Sequence, residues 1–206
     1  SARAIDRLVS VDGLERFDAA YKQGKGLIAV TGHIGCWELM PAWFSTHGYD
    51  IGVVGKRAYD DRLDDLVNGL RARHGAITFD RDTGARQILK FLHGGGCLGI
   101  LIDQDTRVSS VDALFFGHWA KTPSGAAAIA EKTGSPVISV AIRRQKDGRH
   151  RIAVRPPLPT VDIADKDERI RQLVQQQTAA VEELVKLDIT QWVWMHLRWK
   201  DKPINT

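Results

Sequence analysis

The fold is decided by the stretch LIAVTGHIGCWE, Leu27 to Glu38, in which a short apolar run is followed by a histidine and a carboxylate. The run as far as Thr31 is bounded by glycines, which predicts a buried strand, and Trp37 to Phe44 predicts the helix after it. His33 therefore lies in the turn between strand and helix. Because ligands of open α/β sheets bind at the carboxyl ends of the strands, we expect this imidazole to have a function.

The spacing of His33 and Glu38 indicates a general base. Residues five apart on one continuous helix are rotated by about 140° and do not meet, so the histidine must precede the helix. Gly35 permits a tight turn there, and Glu38 in the first helical turn is expected to orient the imidazole while its other nitrogen takes a proton. No Gly-x-Ser-x-Gly nucleophile accompanies the pair, so the proton is expected to come from a substrate hydroxyl. Backbone amides at the Gly35 turn are candidate donors to an oxyanion.

Strand-like and amphipathic segments alternate along the rest of the chain, which is typical of a largely parallel sheet flanked by helices. Strands are predicted near residues 26–31, 50–55, 76–79, 97–102, 136–143 and 150–155. Helices are predicted near residues 5–23, 36–47, 59–74, 83–93, 122–133 and 166–187, the fifth with Thr122 as N-cap and Gly134 as stop. The prediction is a single α/β domain with a mixed, largely parallel central sheet.

Basic residues follow the strands that come after the histidine turn. Lys56 and Arg57 directly follow one strand, and Arg62 and Arg81 are expected to converge with them on the same edge. Arginine binds phosphate or carboxylate through two parallel hydrogen bonds, as a phosphorylated lipid or a phosphopantetheine group would require. The alternative is that these side chains form salt bridges with the nearby aspartates, Asp60, Asp61, Asp64 and Asp65.

Two further segments carry candidate site residues. Asp103-Gln104-Asp105 follows an apolar run, so it is either a magnesium site or polar scaffolding and acceptor contact, and a turn capped on backbone amides is the third possibility. Phe115-Phe116-Gly117 is suited to lining an acyl channel, or it belongs to the ordinary core. Cys36, inside the histidine turn, is interpreted as a small buried cysteine rather than a nucleophile paired with His33.

Taken together, these segments resemble the late acyltransferases of lipid A biosynthesis, a family related to the glycerolipid and lysophospholipid acyltransferases. His33 and Glu38 match the family's His-x4-Asp/Glu motif. The ordered downstream segments match as well: Gly55-Lys56-Arg57, Asp80-Arg81, Asp103-Gln104-Asp105, Phe115-Phe116-Gly117 with Lys121-Thr122, and the ending Gln191 to Lys200. The resemblance covers roughly Gly24 to Pro203.

The resemblance implies a glycerolipid-acyltransferase-like fold and an O-acyltransferase that needs neither a metal nor another cofactor. The donor would be a thioester of acyl carrier protein or coenzyme A, and the acceptor a hydroxyl of a membrane glycolipid, such as a lipid A precursor, or of a lysophospholipid. In the family, the segment at Asp103 lines the acceptor side of the cleft. The family's N-terminal membrane anchor is not found in this sequence, so residues 1–206 are expected to form one acyltransferase domain. The resemblance implies action on the cytoplasmic side of the inner membrane, either as a peripheral protein or as part of a longer, membrane-anchored one.

Composition is compatible with this assignment. The 206 residues are 43% hydrophobic and 26% charged, which argues against a disordered chain or an integral membrane protein. A net charge of +4 suits an acidic surface, whether an anionic membrane, a carrier protein or a nucleic acid. Only two cysteines are present, which indicates a reducing compartment.

Other functions remain open at this level. The same histidine and carboxylate would serve a hydrolase that activates water and releases the fatty acid. A non-catalytic module that binds lipid or carrier protein is a further alternative. A nucleic-acid partner is not expected, since the sequence has no basic stripe interleaved with aromatic residues.

Overall fold

The structure, a computed structural model, describes residues 2–105 and 107–199, which alternate between helices and strands. The helices are α1 (Ala2–Asp6), α2 (Leu14–Tyr21), α3 (Leu39–Thr46), α4 (Asp61–Arg73), α5 (Ala85–His93), α6 (Gly125–Thr133) and α7 (Lys166–Lys186). The strands are β1 (Val9–Asp12), β2 (Leu27–Thr31), β3 (Ile51–Gly55), β4 (Ile77–Asp80), β5 (Cys97–Leu101), β6 (Ser110–Phe115), β7 (His118–Pro123), β8 (Val137–Arg144) and β9 (His150–Val154). A 3-10 turn follows at Ile189–Gln191.

Seven of the strands form one sheet in the order β1-β9-β8-β2-β5-β3-β4. Only β8 and β9 pair antiparallel within it, so the sheet is mixed and largely parallel. The predicted α/β class, with a single domain and a largely parallel sheet, is therefore confirmed. Its central strand β2 is buried along its whole length, as the apolar run predicts.

The two faces of β2 belong to two separate apolar cores. Ile28 and Val30 pack with residues of α5, α6 and α7, whereas Leu27 and Ala29 pack with residues of α2 and α3. Because successive side chains of a strand point to opposite faces, a continuous apolar run is required when helices cover both. This two-sided burial leaves the carboxyl edge of the sheet as the place for polar chemistry.

Two predicted elements are wrong. The helix expected over residues 5–23 is interrupted by β1, which pairs parallel with β9, and the break is fixed at Gly13. This glycine has φ of +84°, and a Cβ there would lie 2.5 Å from the Val154 carbonyl oxygen. The helix expected from Thr122 begins instead at Gly125, because Thr122 and Pro123 end strand β7 of a separate hairpin with β6. The stop at Gly134 is correct, with this residue in the left-handed region.

Among the described residues, no helix combines the length and apolar character needed to cross a membrane.

Candidate active site

The register of the sheet brings His33 together with Asp103. Strands β2 and β5 are parallel neighbours, and their last residues, Thr31 and Leu101, are partners across the ladder. His33 and Asp103 each follow two residues after these partners, so the two turns emerge side by side. This is the carboxyl edge at which open α/β sheets bind ligands.

Asp103 accepts hydrogen bonds from three N–H groups. Its Oδ1 lies 2.8 Å from His33 Nδ1, and its Oδ2 accepts from the His33 backbone N–H at 2.7 Å and from the Trp192 indole at 2.8 Å. The Asp103 side chain is 1% exposed and that of His33 is 22% exposed. A carboxylate on Nδ1 fixes the tautomer and leaves Nε2 as the nitrogen that exchanges a proton.

The environment keeps Asp103 ionised. Burial alone would raise the pKa of this carboxyl, but the hydrogen bonds and charge of His33, with the hydrogen bond of Trp192, outweigh it and lower the pKa. Gly32 makes room for the arrangement, because a Cβ at this position would lie 2.9 Å from Asp103 Oδ2. The sequence analysis did not identify Gly32 as a site residue.

The prediction that Glu38 orients the imidazole differs from the structure. Glu38 stands at the N-cap of α3 and binds Arg71 of α4 through both carboxylate oxygens, at 2.5 and 2.8 Å. The bond to the ring is made by Asp103 instead. Spacing along the chain favoured Glu38, whereas the strand order brings Asp103 to the ring from 70 residues away. Arg71 is a site residue that the sequence analysis missed.

A cleft of about 1400 Å³ opens in front of His33. Lys56, Arg57, Arg81 and Gln104 line it, as does the Glu38–Arg71 pair, so these predicted residues are brought together. Arg57 also pairs with Asp61 at 3.0 Å, and the Arg81 side chain bonds Asp82 at 2.9 Å. A further cation, Lys132 of α6, lines the same cleft. The cleft is therefore lined by His33 and by several positively charged side chains.

Other predicted residues lie elsewhere. Arg62 is 90% exposed and pairs with Asp60 at 2.7 Å, the salt bridge that was the alternative for it. The Gly35 amide donates to the Gln191 carbonyl at 2.9 Å, so it is engaged and does not serve as an oxyanion donor in this geometry. Gly35 itself is required, since with φ of +58° a Cβ would lie 2.4 Å from the Ile142 carbonyl oxygen.

Asp103 and Asp105 support the site from behind the cleft. Asp103 accepts three hydrogen bonds from N–H groups, and the Asp105 backbone N–H donates to His196 Nε2 at 2.9 Å. Among the described residues, no cluster of three or more His, Cys, Asp or Glu side chains is arranged to hold a metal ion. Polar scaffolding is the role of this segment that the observed contacts support.

The segment Phe115-Phe116-Gly117 forms a hairpin turn and does not line the cleft. Phe116 and Gly117 have φ of +51° and +74°, which is typical of a two-residue turn between β6 and β7. Phe115 is 1% exposed and packs against Trp192 and Trp199. The alternative weighed for this segment, ordinary core, describes Phe115.

A narrow apolar recess adjoins the cleft on the α2 and α3 side of the sheet. Trp37, Glu38, Val54, Arg71 and Leu101 line both spaces, so the ion pair stands where they meet. Apolar side chains and one glycine continue inward from there, among them Phe17, Ala29, Met40, Phe44, Cys97 and Gly99. Its volume is about 60 Å³, so in this geometry it accommodates only a short hydrocarbon segment next to the cleft.

The two cysteines differ in environment. Cys36 is exposed, contrary to the interpretation of a buried residue, while Cys97 is buried against the recess and burial raises the pKa of its thiol. The Nδ1 atom of His33 is directed at Asp103 and not at a thiol.

Comparison with known proteins shows which family the chain resembles. A family model described as bacterial lipid A biosynthesis acyltransferase matches residues 1–201. The chain is 26% identical over 205 residues to the lipid A biosynthesis lauroyltransferase of Escherichia coli (strain K12), which is 98% of this chain and 65% of that protein. It is 24% identical over 141 residues to the phosphatidylinositol mannoside acyltransferase of Mycobacterium tuberculosis (strain CDC 1551 / Oshkosh), which is 66% of this chain and 44% of that protein. The chain thus spans less than two thirds of the length of these relatives.

Proposed function

Since the chain belongs to the bacterial lipid A biosynthesis acyltransferase family, we propose that it transfers a fatty acyl group from a thioester to a hydroxyl of a membrane lipid. The observation that carries the proposal is the hydrogen bond of the buried Asp103 carboxylate to His33 Nδ1 at the floor of the cleft. The relatives are named for lipid A and for phosphatidylinositol mannoside, so the proposed acceptor is a glycolipid, with a lysophospholipid as the related alternative.

In the proposed reaction, His33 is the general base. Nε2 takes the proton of the acceptor hydroxyl as its oxygen attacks the thioester carbonyl, while Asp103 stabilises the imidazolium through Nδ1–H. The tetrahedral intermediate then collapses, the carbon–sulfur bond breaks, and the imidazolium returns the proton to the departing thiolate. The products are an ester and a free thiol, and the enzyme is unchanged.

Arg71 is proposed to stabilise the negative charge that develops on the carbonyl oxygen. It lies where the cleft and the apolar recess meet, and the two hydrogen bonds that it donates to the Glu38 carboxylate hold its guanidinium in place. A fixed cation near a developing oxyanion is worth much more in a partly buried site than in water. Glu38 would then act by positioning Arg71, a different role from the one that its spacing to His33 suggests.

The cleft cations are proposed to bind the phosphates of the substrates. Lys56, Arg57 and Arg81 stand on one wall and Lys132 on another, which suits a phosphopantetheine arm or a phosphorylated headgroup. Acyl carrier protein and coenzyme A both present such an arm. Action at an anionic membrane, on the cytoplasmic side of the inner membrane, is part of this proposal.

The proposal is tested by incubating the protein with labelled acyl thioesters of acyl carrier protein and of coenzyme A, each with a panel of glycolipid and lysophospholipid acceptors. We expect labelled acylated acceptor that forms only when an acceptor is present. Release of free fatty acid without any acylated acceptor would contradict transfer and favour a hydrolase.

Filling the recess should shorten the acyl chains that the protein accepts. Gly99→Leu places a side chain on the recess-facing side of β5, so kcat/KM for long acyl donors is expected to fall about tenfold relative to short ones. Leu98→Ile, which changes the neighbouring residue on the opposite face of the strand and lines neither the recess nor the cleft, is the matched control. Equal losses with short and long donors in Gly99→Leu would contradict the placement of the chain.

A further inference from the structure

The C-terminal segment, residues 189–198, binds both turns of the active site. The Gln191 carbonyl accepts from the Gly35 N–H at 2.9 Å, and the Val193 N–H donates to the His33 carbonyl at 3.1 Å. Between them, Ile34 and Trp192 form an isolated antiparallel bridge. The histidine turn is thus held along one side by backbone hydrogen bonds to a part of the chain that follows all the regular elements.

The same segment reaches the turn that carries Asp103. The Trp192 indole N–H donates to Asp103 Oδ2, and His196 accepts from the Asp105 backbone N–H. Arg198, 1% exposed, bonds Thr122 Oγ1 at 2.5 Å and the Lys121 carbonyl. The C-terminal segment therefore joins the carboxyl ends of β2 and β5 and is itself fixed to the hairpin.

We infer that Trp192 is a positioning residue for the reaction. It acts through Asp103, because its indole N–H holds the carboxylate on Nδ1 of His33 and sets how tightly the His33–Asp103 pair binds a proton. The inference rests on the proposed function. Trp192 is 4% exposed and packs its ring against Phe115, so the indole N–H is fixed in direction. A buried N–H with one acceptor within reach strengthens the charge-assisted bond that it makes.

The direction of the pH effect follows from the charges around the pair. Trp192 donates to the ionised form of Asp103, so without its N–H the carboxylate is more basic and the His33–Asp103 pair binds a proton more tightly. The charged and titratable groups that face the pair are Arg198 and His196 of the C-terminal segment, Asp105 of the same turn, and the Glu38–Arg71 ion pair across the cleft. None of these is altered by a change at position 192.

The test compares pH profiles of acyl transfer. For Trp192→Phe we expect kcat to fall about tenfold with KM nearly unchanged, and the acid limb of kcat/KM to move upward by about one pH unit, the effect of one hydrogen bond to a charged group. Trp194→Phe is the matched control, because it keeps an aromatic ring in contact with Trp192 and removes another indole N–H of the same segment, one that donates to the Ile189 carbonyl and not to Asp103. It should leave both quantities unchanged.

Loss of packing is separated from loss of the hydrogen bond by a second variant. Trp192→benzothienylalanine keeps the two-ring shape and replaces N–H by sulfur, so it should give the same shift of the acid limb even if Trp192→Phe unfolds. A native acid limb in this variant overturns the inference, whatever its kcat. His33→Ala, measured alongside, separates failure of the positioning role from failure of the proposed function. If His33→Ala is inactive while the Trp192 variants behave as native, only the positioning role fails. If His33→Ala is active, the proposed function fails.

Discussion

Asp103→Asn should lower kcat for acyl transfer by about 10³- to 10⁴-fold, the scale set by the buried aspartate of hydrolytic triads. The amide would present an N–H to the position where Asp103 accepts from His33 Nδ1, so the ring would be held in the wrong tautomer and the imidazolium would lose its counter-charge. KM for the thioester should change little, because Asp103 is buried behind the histidine and does not line the cleft.

Two control variants separate the role of Asp103 from the effect of losing any carboxylate. Asp147→Asn makes the same chemical change in the turn between β8 and β9, where Asp147 pairs with Arg149, and should leave kcat at the native value. Glu38→Gln tests which carboxylate supports the base. A loss in Glu38→Gln as large as in Asp103→Asn, with the pH profile altered in the same way, would contradict the assignment of Asp103.

Arg71→Met should lower kcat by about 10²- to 10³-fold, as when one donor to an oxyanion is removed. Methionine keeps much of the length and apolar stem of arginine, so the wall of the recess should be preserved while the cation is lost. Glu38→Gln should reduce kcat by less, because the amide can still hold the guanidinium through one oxygen. The matched control is Arg73→Met on the same helix, since Arg73 is exposed and does not line the cleft.

The outcome that would contradict this role is a native kcat in Arg71→Met with a raised KM for the donor. Arg71 would then bind the ground state, through a phosphate or the thioester, and the oxyanion would need another donor.

Local signals in the sequence predict the histidine turn well. The apolar run of β2 is continuous because both faces of the strand are buried, and Gly32 and Gly35 mark the points where the backbone passes close to Asp103 and to Ile142. The strand and the turn depend on residues close together in the chain, whereas the approach of Gly32 to Asp103 and of Gly35 to Ile142 involves distant segments. Local signals also predict α4, α5 and α7. The predicted bounds of each helix lie within two residues of the observed ones.

The carboxylate that partners His33 cannot be predicted from local signals in the sequence. Which carboxylate reaches the ring depends on the order of the strands, and β2 neighbours β5 rather than β3, the next strand along the chain. Asp103 directly follows the predicted strand 97–102, so the sequence predicts its position at the end of a strand. The sequence does not predict which strand lies beside that end. Arg71 cannot be identified from the sequence for a related reason, because its proposed role depends on the ion pair with Glu38, 33 residues away in the chain.

Short edge elements were the other source of error. Strand β1 has four residues and stands at the edge of the sheet, where a helical interpretation of the surrounding residues competes with it. The hairpin of β6 and β7 alternates exposed and buried residues, and its turn at Phe116 and Gly117 falls in a segment whose sequence is compatible with an acyl channel or with ordinary core but does not indicate a turn. For β1, pairing with the distant strand β9 overrides the local preference for helix. For the hairpin, pairing between the two short strands does so.

The most direct measurement is the initial rate of acceptor-dependent acyl transfer by His33→Ala beside that of the native protein, with the same donor and acceptor and with both proteins shown to be folded. A general base held by Asp103 predicts that the variant still binds the thioester and that its rate falls by at least about 10³-fold. Acylated acceptor produced at the native rate by His33→Ala would contradict the mechanism.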